Sequence, residues 1–115
     1  MGFSLRELED TAKELEEKRM KVETLIDQKS TAQMQLQENQ LVMEEFQFLG
    51  EEDVIMKKMG PALIKQDTEE AKENVQHRLE FINNQISQFE KQIQEASQEV
   101  QRLDQKLKEM QSTLQ

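Results

Sequence analysis

The residues able to do chemistry are few in this sequence, and their spacing builds no catalytic or metal site. The 115-residue chain has one histidine, His77, and no cysteine, which excludes the usual zinc and nucleophile arrangements. Acidic pairs occur at 16–17, 44–45, 51–52 and 69–70, but adjacent helical residues do not share a face and no EF-hand spacing is present. We therefore expect solvated carboxylates, an exposed His77, no cofactor or metal, and no enzymatic activity.

The charge and hydropathy of the chain narrow its partners. Asp and Glu number 24 against 15 Lys and Arg, a net charge of −9, which argues against nucleic acid and anionic membrane as main partners. No apolar run approaches the ~20 residues needed to span a bilayer, and the N-terminus does not resemble a signal peptide. The absence of cysteine favours a reducing compartment.

The C-terminal half carries a clear helical pattern. Asp67 and Glu70 are placed to start a helix, and the apolar residues that follow recur at alternating steps of four and three. They are Val75, Leu79, Ile82, Ile86, Phe89, Ile93, Ala96, Val100, Leu103, Leu107, Met110 and Leu114. This 3.5-residue period predicts a coiled-coil helix over 67–114, with these residues as its apolar seam.

The N-terminal half predicts a second helix over 4–49, with a less regular seam. Ser4 and Glu7 form a capping-box pattern, and Gly50 can end the helix in a left-handed conformation. One seam line is Leu8, Leu15, Val22, Lys29, Leu36 and Met43; its companion is Leu5, Ala12 and Arg19, then shifts by one residue to Leu25, Ala32, Asn39 and Phe46. The polar residues Lys29 and Asn39 either fix register or are ordinary imperfections of the seam.

The two seams match if the chain folds back on itself. When facing residue numbers add up to about 118, apolar residues meet along both helices. The facing pairs include Met43 with Val75, Leu25 with Ile93, Leu15 with Leu103, and Leu8 with Met110. The sequence thus predicts one domain, 1–115, that is mainly α: a long antiparallel two-helix coiled-coil hairpin.

Residues 50–66 predict a β-hairpin between the helices. The runs 54–59 and 62–66 are short and partly β-branched, and they flank the turn residues Gly60 and Pro61. An isolated hairpin is marginal in water and its edges attract other strands, so we expect it to pair with other chains. The alternative is a flexible polar loop. The register stays open, because pairing about a two-, three- or four-residue turn always leaves a lysine among apolar neighbours.

The stretches QLVMEEFQFL and DVIMKKMGPALIKQD, followed by a long heptad helix, resemble the β-type subunits of prefoldin, and among these the eukaryotic subunit six type most. The resemblance covers nearly the whole chain. It implies a cytoplasmic, hetero-hexameric, ATP-independent chaperone, in which the β-hairpins of two α-type and four β-type subunits form a β-barrel platform. It also implies that the coiled-coil tips hold unfolded clients such as actin and tubulin and pass them to the group II chaperonin.

The resemblance assigns two surfaces on this chain. The residues predicted for subunit assembly are Val54, Ile55, Met56, Met59, Leu63 and Ile64. The residues predicted for client binding are the apolar ones near the two chain ends, which are Phe3, Leu5, Leu8, Leu107, Met110 and Leu114. The alternative for this second group is that its members only close the helix pair. For the whole chain, the alternative function is a structural or tethering coiled coil without chaperone activity.

Overall fold

The computed structural model describes residues 2–50 and 53–114, apart from the side chain of Leu114. It contains helix α1 (Leu5–Phe46), strand β1 (Ile55–Met59), strand β2 (Ala62–Gln66) and helix α2 (Thr68–Leu114). The two strands pair antiparallel with each other. The predicted class, mainly α with two long helices and a central β-hairpin, is confirmed.

The chain divides into two compact units. One comprises Met1–Ser30 and Ser87–Gln115, and the other Thr31–Ile86. In the first, Lys29 of α1 lies 3.6 Å from Glu90 of α2 and Arg19 lies 3.6 Å from Asp104, so the two helical segments run antiparallel. In the second, Arg78 of α2 donates a hydrogen bond to Asn39 of α1, so the two helices are also in contact there.

These contacts agree with the predicted facing of the helices. The residue numbers of Lys29 and Glu90 add up to 119, and those of Asn39 and Arg78 to 117. Both totals lie next to the predicted 118. The pair of Arg19 and Asp104 has a larger total, 123, because long charged side chains can reach diagonally along a helix pair.

The start of α1 follows the capping prediction and its end does not. The Glu7 amide donates to the Ser4 hydroxyl at 3.1 Å, which satisfies one of the free amides of the first turn. At the other end α1 stops at Phe46, three residues before the predicted 49. The next three amides donate to the carbonyls of residues 44, 45 and 46, so the chain tightens into i→i+3 turns.

Gly50 does not close α1 in a left-handed conformation, because Gly60 is the one residue with positive φ in the described ranges. The Gly50 amide instead donates to the Asp53 carboxylate at 2.7 Å, and the Asp53 amide donates to the Gly50 carbonyl. Asp53 therefore fixes a turn at Gly50, four residues after α1 has ended.

The phase slip predicted in the α1 seam is also wrong. The more buried residues of α1 follow unbroken steps of three and four, and Thr11 and Lys18 occupy the places expected for Ala12 and Arg19, which are exposed. A slip would rotate the buried face by about 100° within a continuous helix. The helix keeps its phase and accepts polar residues in the seam instead.

Those polar residues can lie in the seam because each has a suitable side chain. The Thr11 hydroxyl donates to the Glu7 carbonyl at 2.9 Å, so its burial leaves no unpaired donor. A lysine buries its aliphatic stem and keeps its ammonium in water, which fits the half-buried Lys18 and Lys29. On α2 the predicted seam residues from Val75 to Met110 are all buried or half-buried.

Candidate assembly and client-binding surfaces

The register of the β-hairpin is that of a two-residue turn. Met59 pairs with Ala62, and the pairing continues to Ile55 with Gln66. Gly60 has a φ of 61°, while Pro61 is confined to negative φ by its ring. A positive φ at the first central position alone is the signature of a type II′ turn, whose twist suits a two-residue hairpin. Gly60 and Pro61 are thus the turn, as predicted.

Five of the six residues predicted for subunit assembly are exposed. Leu63 has 64% of its surface exposed and Val54 has 57%, and Met56, Met59 and Ile64 are similarly open; only Ile55 is half-buried. Val54 lies just before β1 rather than in it. Side chains alternate between the faces of a strand, so Met56 and Leu63 occupy one face of the hairpin and Met59 and Ile64 the other. Apolar surface is therefore exposed on both faces.

Both edges of the hairpin are open in the described chain, because the sheet contains only β1 and β2. In an antiparallel ladder, hydrogen-bonded and non-hydrogen-bonded pairs alternate. Met59 and Ala62 close the turn as a hydrogen-bonded pair, so the backbone groups of Met56 and Lys58 point outward on one edge. Those of Leu63 and Lys65 point outward on the other. Each edge can accept a further strand.

A groove of about 360 Å³ separates β1 from the helices of the same unit. Its apolar lining comes from Val42 and Phe46 of α1, Ile55 and Met56 of β1, and Ala71 and Val75 of α2. The groove is continuous with the exposed hairpin surface through Ile55. It can receive an apolar side chain from a chain that pairs with the hairpin.

The residues predicted for client binding differ in exposure. Leu5 has 65% of its surface exposed, whereas Met110 has 1% and belongs to the closed seam. Phe3, Leu8 and Leu107 are half-buried. The predicted contribution of Leu114 lies outside the described side chains. Among the described members, Leu5 offers the most open apolar surface to a client.

One exposed apolar line along α1 and just beyond its end was not predicted. Met34 and Leu41 on α1, and Phe48 two residues after it, recur at intervals of seven residues, and all three are exposed, Phe48 by 87%. Met34 and Leu41 lie on the side of α1 opposite the seam, at the position called f in a heptad. The interval of seven was the available signal, but the seam shares that interval and the stronger seam pattern concealed this line.

Charge contacts in the unit with both chain ends lie at the surface, between exposed and half-buried side chains. The Asp104 carboxylate forms ion pairs with Arg19 at 3.6 Å and with Lys108 at 3.1 Å. A hydrogen bond from Arg102 lowers the pKa of the Glu99 carboxyl, and the same bond raises the pKa of Arg102. Water screens such surface pairs, so they orient the helix faces more than they stabilise the fold.

The chemistry-bearing residues do not converge. His77 is exposed, as are the acidic residues at 16–17, 44–45 and 69–70, whereas the pair at 51–52 lies outside the described residues. The described part of the chain contains no group of three His, Cys, Asp or Glu side chains able to hold a metal ion. Within the same residues, no helix combines the length and the apolar content of a membrane span.

Comparisons with known proteins give a family model and a similar fold. The family model described as prefoldin subunit matches residues 9–113. The crystal structure of the prefoldin beta subunit from Thermococcus strain KS-1 is similar, with a TM-score of 0.82 and 17% identity over 95% of this chain and 96% of that chain. No curated protein sequence gives a significant match. The similarity to the eukaryotic subunit six type stays a prediction.

Proposed function

The chain belongs to the prefoldin subunit family, and from this membership we propose that it is one subunit of a hetero-hexameric, ATP-independent chaperone. In this proposal the assembled chaperone captures unfolded proteins at the coiled-coil tips. It then transfers them to the cytosolic group II chaperonin. The chain itself performs no catalysis and needs no cofactor, and its place of action is the cytoplasm.

The observation that carries the proposal is the open hairpin. Two paired strands with apolar residues on both faces and two free edges are marginally stable alone. A neighbouring strand on each edge would satisfy the outward backbone groups and cover Met56, Leu63 and Ile64. Hairpins of other prefoldin subunits, α-type and β-type, supply such strands, and together they would form a β-barrel platform. A tethering coiled coil would not require an exposed strand-pairing surface at its centre.

Client capture is proposed for the unit that contains both chain ends. Leu5 is the most exposed of the described candidates there, with Phe3 and Leu8 half-buried beside it in sequence. Leu107, Met110 and Leu114 belong to the same proposal. Apolar side chains at the end of a helix pair suit unfolded clients, which expose apolar segments without a fixed shape. Actin and tubulin are the clients that the family membership suggests.

The test is assembly with an α-type prefoldin subunit. We expect the two purified chains, mixed and measured by light scattering after size exclusion, to form a stable hexamer. The double variant M56S/L63S should fail to enter it, because it removes exposed apolar surface from both edges while leaving the helices intact. The control M34S/L41S removes similar exposed surface from α1 and should still assemble. Persistent monomers or dimers of the unmodified chain would overturn the proposal.

A further inference from the structure

The β-hairpin differs in charge from the rest of the chain. Residues 54–66 contain Lys57, Lys58 and Lys65 and no acidic residue, although the whole chain has 24 acidic against 15 basic residues. The hairpin therefore carries three positive charges in a protein whose net charge is −9. The helices do not require this local excess of positive charge. It therefore suggests a role in binding a partner.

Each of these lysines lies directly opposite a large apolar side chain. Lys57 pairs with Ile64, Lys58 with Leu63, and Lys65 with Met56. All three lysines are exposed, and none has an ion pair within 4.0 Å to any residue in the described ranges. Lys29, Lys72 and Lys108, which lie on the helices, each have a carboxylate partner. The hairpin lysines thus form no ion pair with any of the described residues.

The lysines reach the open edges in a regular arrangement. On one face, Met56 and Lys58 border the β1 edge, and Leu63 and Lys65 border the β2 edge. These four residues also turn their backbone groups outward. On this face, a strand added at either edge therefore meets one lysine and one apolar side chain, two residues apart. The complementary strand has an acidic and an apolar residue at the same spacing, since opposite charges on neighbouring strands attract.

A second copy of this chain is a poor partner for the same hairpin. Two copies bring six lysines and no carboxylate into one sheet. If β1 pairs antiparallel with its own copy about the strand centre, Lys57 faces Lys57, and directly opposed like charges are destabilising. We propose that the three hairpin lysines select, as the pairing partner, a strand of a different chain that carries acidic residues between its apolar ones. The inference rests on the proposed function, because it concerns the same assembly surface.

Lysines on an edge strand can also act as a general deterrent to pairing. That weaker role predicts no preference for an acidic partner. The two roles are separated by giving the protein a partner of known charge, which a variant of the chain itself supplies. In K57E/K58E/K65E the apolar residues and the turn are unchanged, and the hairpin charge becomes negative.

The experiment mixes the unmodified chain with this acidic-hairpin variant and measures association by sedimentation velocity at low salt. We expect an association constant at least about tenfold above that of either protein alone, since several opposite-charge pairs form across strands. High salt should remove most of the difference, because exposed charges are screened within about 3 Å at 1 M. The matched control is K13E/K91E/K106E, which makes the same charge change on exposed helix positions without ion pairs among the described residues.

Equal association of the two variants with the unmodified chain would overturn the inference, and so would a preference that salt does not weaken. A circular dichroism spectrum of each variant establishes that the helices are intact. Mixing with an α-type prefoldin subunit separates this inference from the proposed function. If the acidic-hairpin variant enters the hexamer as well as the unmodified chain does, the charge selection is wrong and the function stands. If neither enters it but the two chains still associate, the function is wrong and the charge selection stands.

Discussion

Lys29 of α1 extends to within 3.6 Å of Glu90 on α2 from a seam position that an apolar side chain normally occupies. Its side chain is only 29% exposed, so its aliphatic stem packs while its ammonium reaches the carboxylate. Polar residues in a seam lower stability and restrict how the helices align. The ion pair with the exposed Glu90 carboxylate restores little of that stability.

Replacing Lys29 with Leu should therefore stabilise the helix pair. We expect the free energy of unfolding to rise by about 1 kcal/mol, because an apolar side chain gains burial at a half-covered position. Thermal and urea denaturation followed by circular dichroism measure the change. Lys13→Leu, at an exposed helix position, should leave stability nearly unchanged. A loss of stability in K29L would show that the contact with Glu90 outweighs packing.

Leu103 has no exposed surface. Truncating it should therefore be among the most destabilising changes in the unit formed by residues 1–30 and 87–115. We expect Leu103→Ala to lower the free energy of unfolding by about 3 kcal/mol, through lost burial and an incompletely filled cavity. Leu41→Ala provides the comparison, because Leu41 is 53% exposed on α1; its effect should stay below about 0.5 kcal/mol. Similar losses in the two variants would contradict the buried seam at Leu103.

Gly60→Ala should loosen the hairpin without unfolding the helices. A Cβ at this position meets no atom within 4 Å, so the penalty comes from the positive φ of 61° alone, about 1 kcal/mol for an L-residue. The Ala62 amide, which closes the turn, should then exchange its hydrogen about five times faster in NMR measurements. Gly2→Ala, where φ is not positive, serves as the control. Unchanged exchange in G60A would mean that the turn tolerates a side chain.

Leu5→Ser tests the proposed client contact most cleanly, because Leu5 is exposed and its loss should not disturb the seam. We expect the assembled hexamer containing this variant to suppress aggregation of an unfolded client less well, with the melting temperature nearly unchanged. Leu41→Ser removes another exposed leucine, 53% against 65% for Leu5, from the other unit and should keep full activity. If both variants, or neither, lose suppression, client contact does not depend on Leu5. Met110→Ser is less informative, since Met110 is buried and its loss would destabilise the helix pair.

The sequence predicted the regular parts of this fold and misplaced its irregular ones. The α2 seam was predictable because its apolar residues follow the heptad without a break. In α1 the apolar Ala12 suggested a slip, whereas the continuous helix buries Thr11 and Lys18, whose polar atoms find a carbonyl or solvent. Apolar spacing alone cannot show which polar side chains a seam will accept. The hairpin register was open for a related reason, because a lysine faces an apolar residue in every candidate register.

The assembly surface was likewise easier to predict from the sequence than the client-binding surface. Exposure of Met56, Leu63 and Ile64 followed from the short strands, because two strands cannot cover both of their faces. The candidates near the chain ends share one apolar pattern, yet the structure buries Met110 and exposes Leu5. Position in the heptad decides between them. The seam of α1 runs 8, 11, 15, 18 in alternating steps of three and four, so the step before Leu8 would fall on residue 4, and Leu5 lies one residue off the seam.

One of the two compact units is built from the first thirty residues together with residues 87–115. During synthesis on the ribosome, its N-terminal segment is made before the segment that buries Leu15 and Leu25. The other unit, Thr31–Ile86, is continuous in sequence. The first unit can therefore form only after the whole of the second has been made. A nascent chain of this protein exposes the apolar stripe of its N-terminal segment until residues 87–115 have been synthesised.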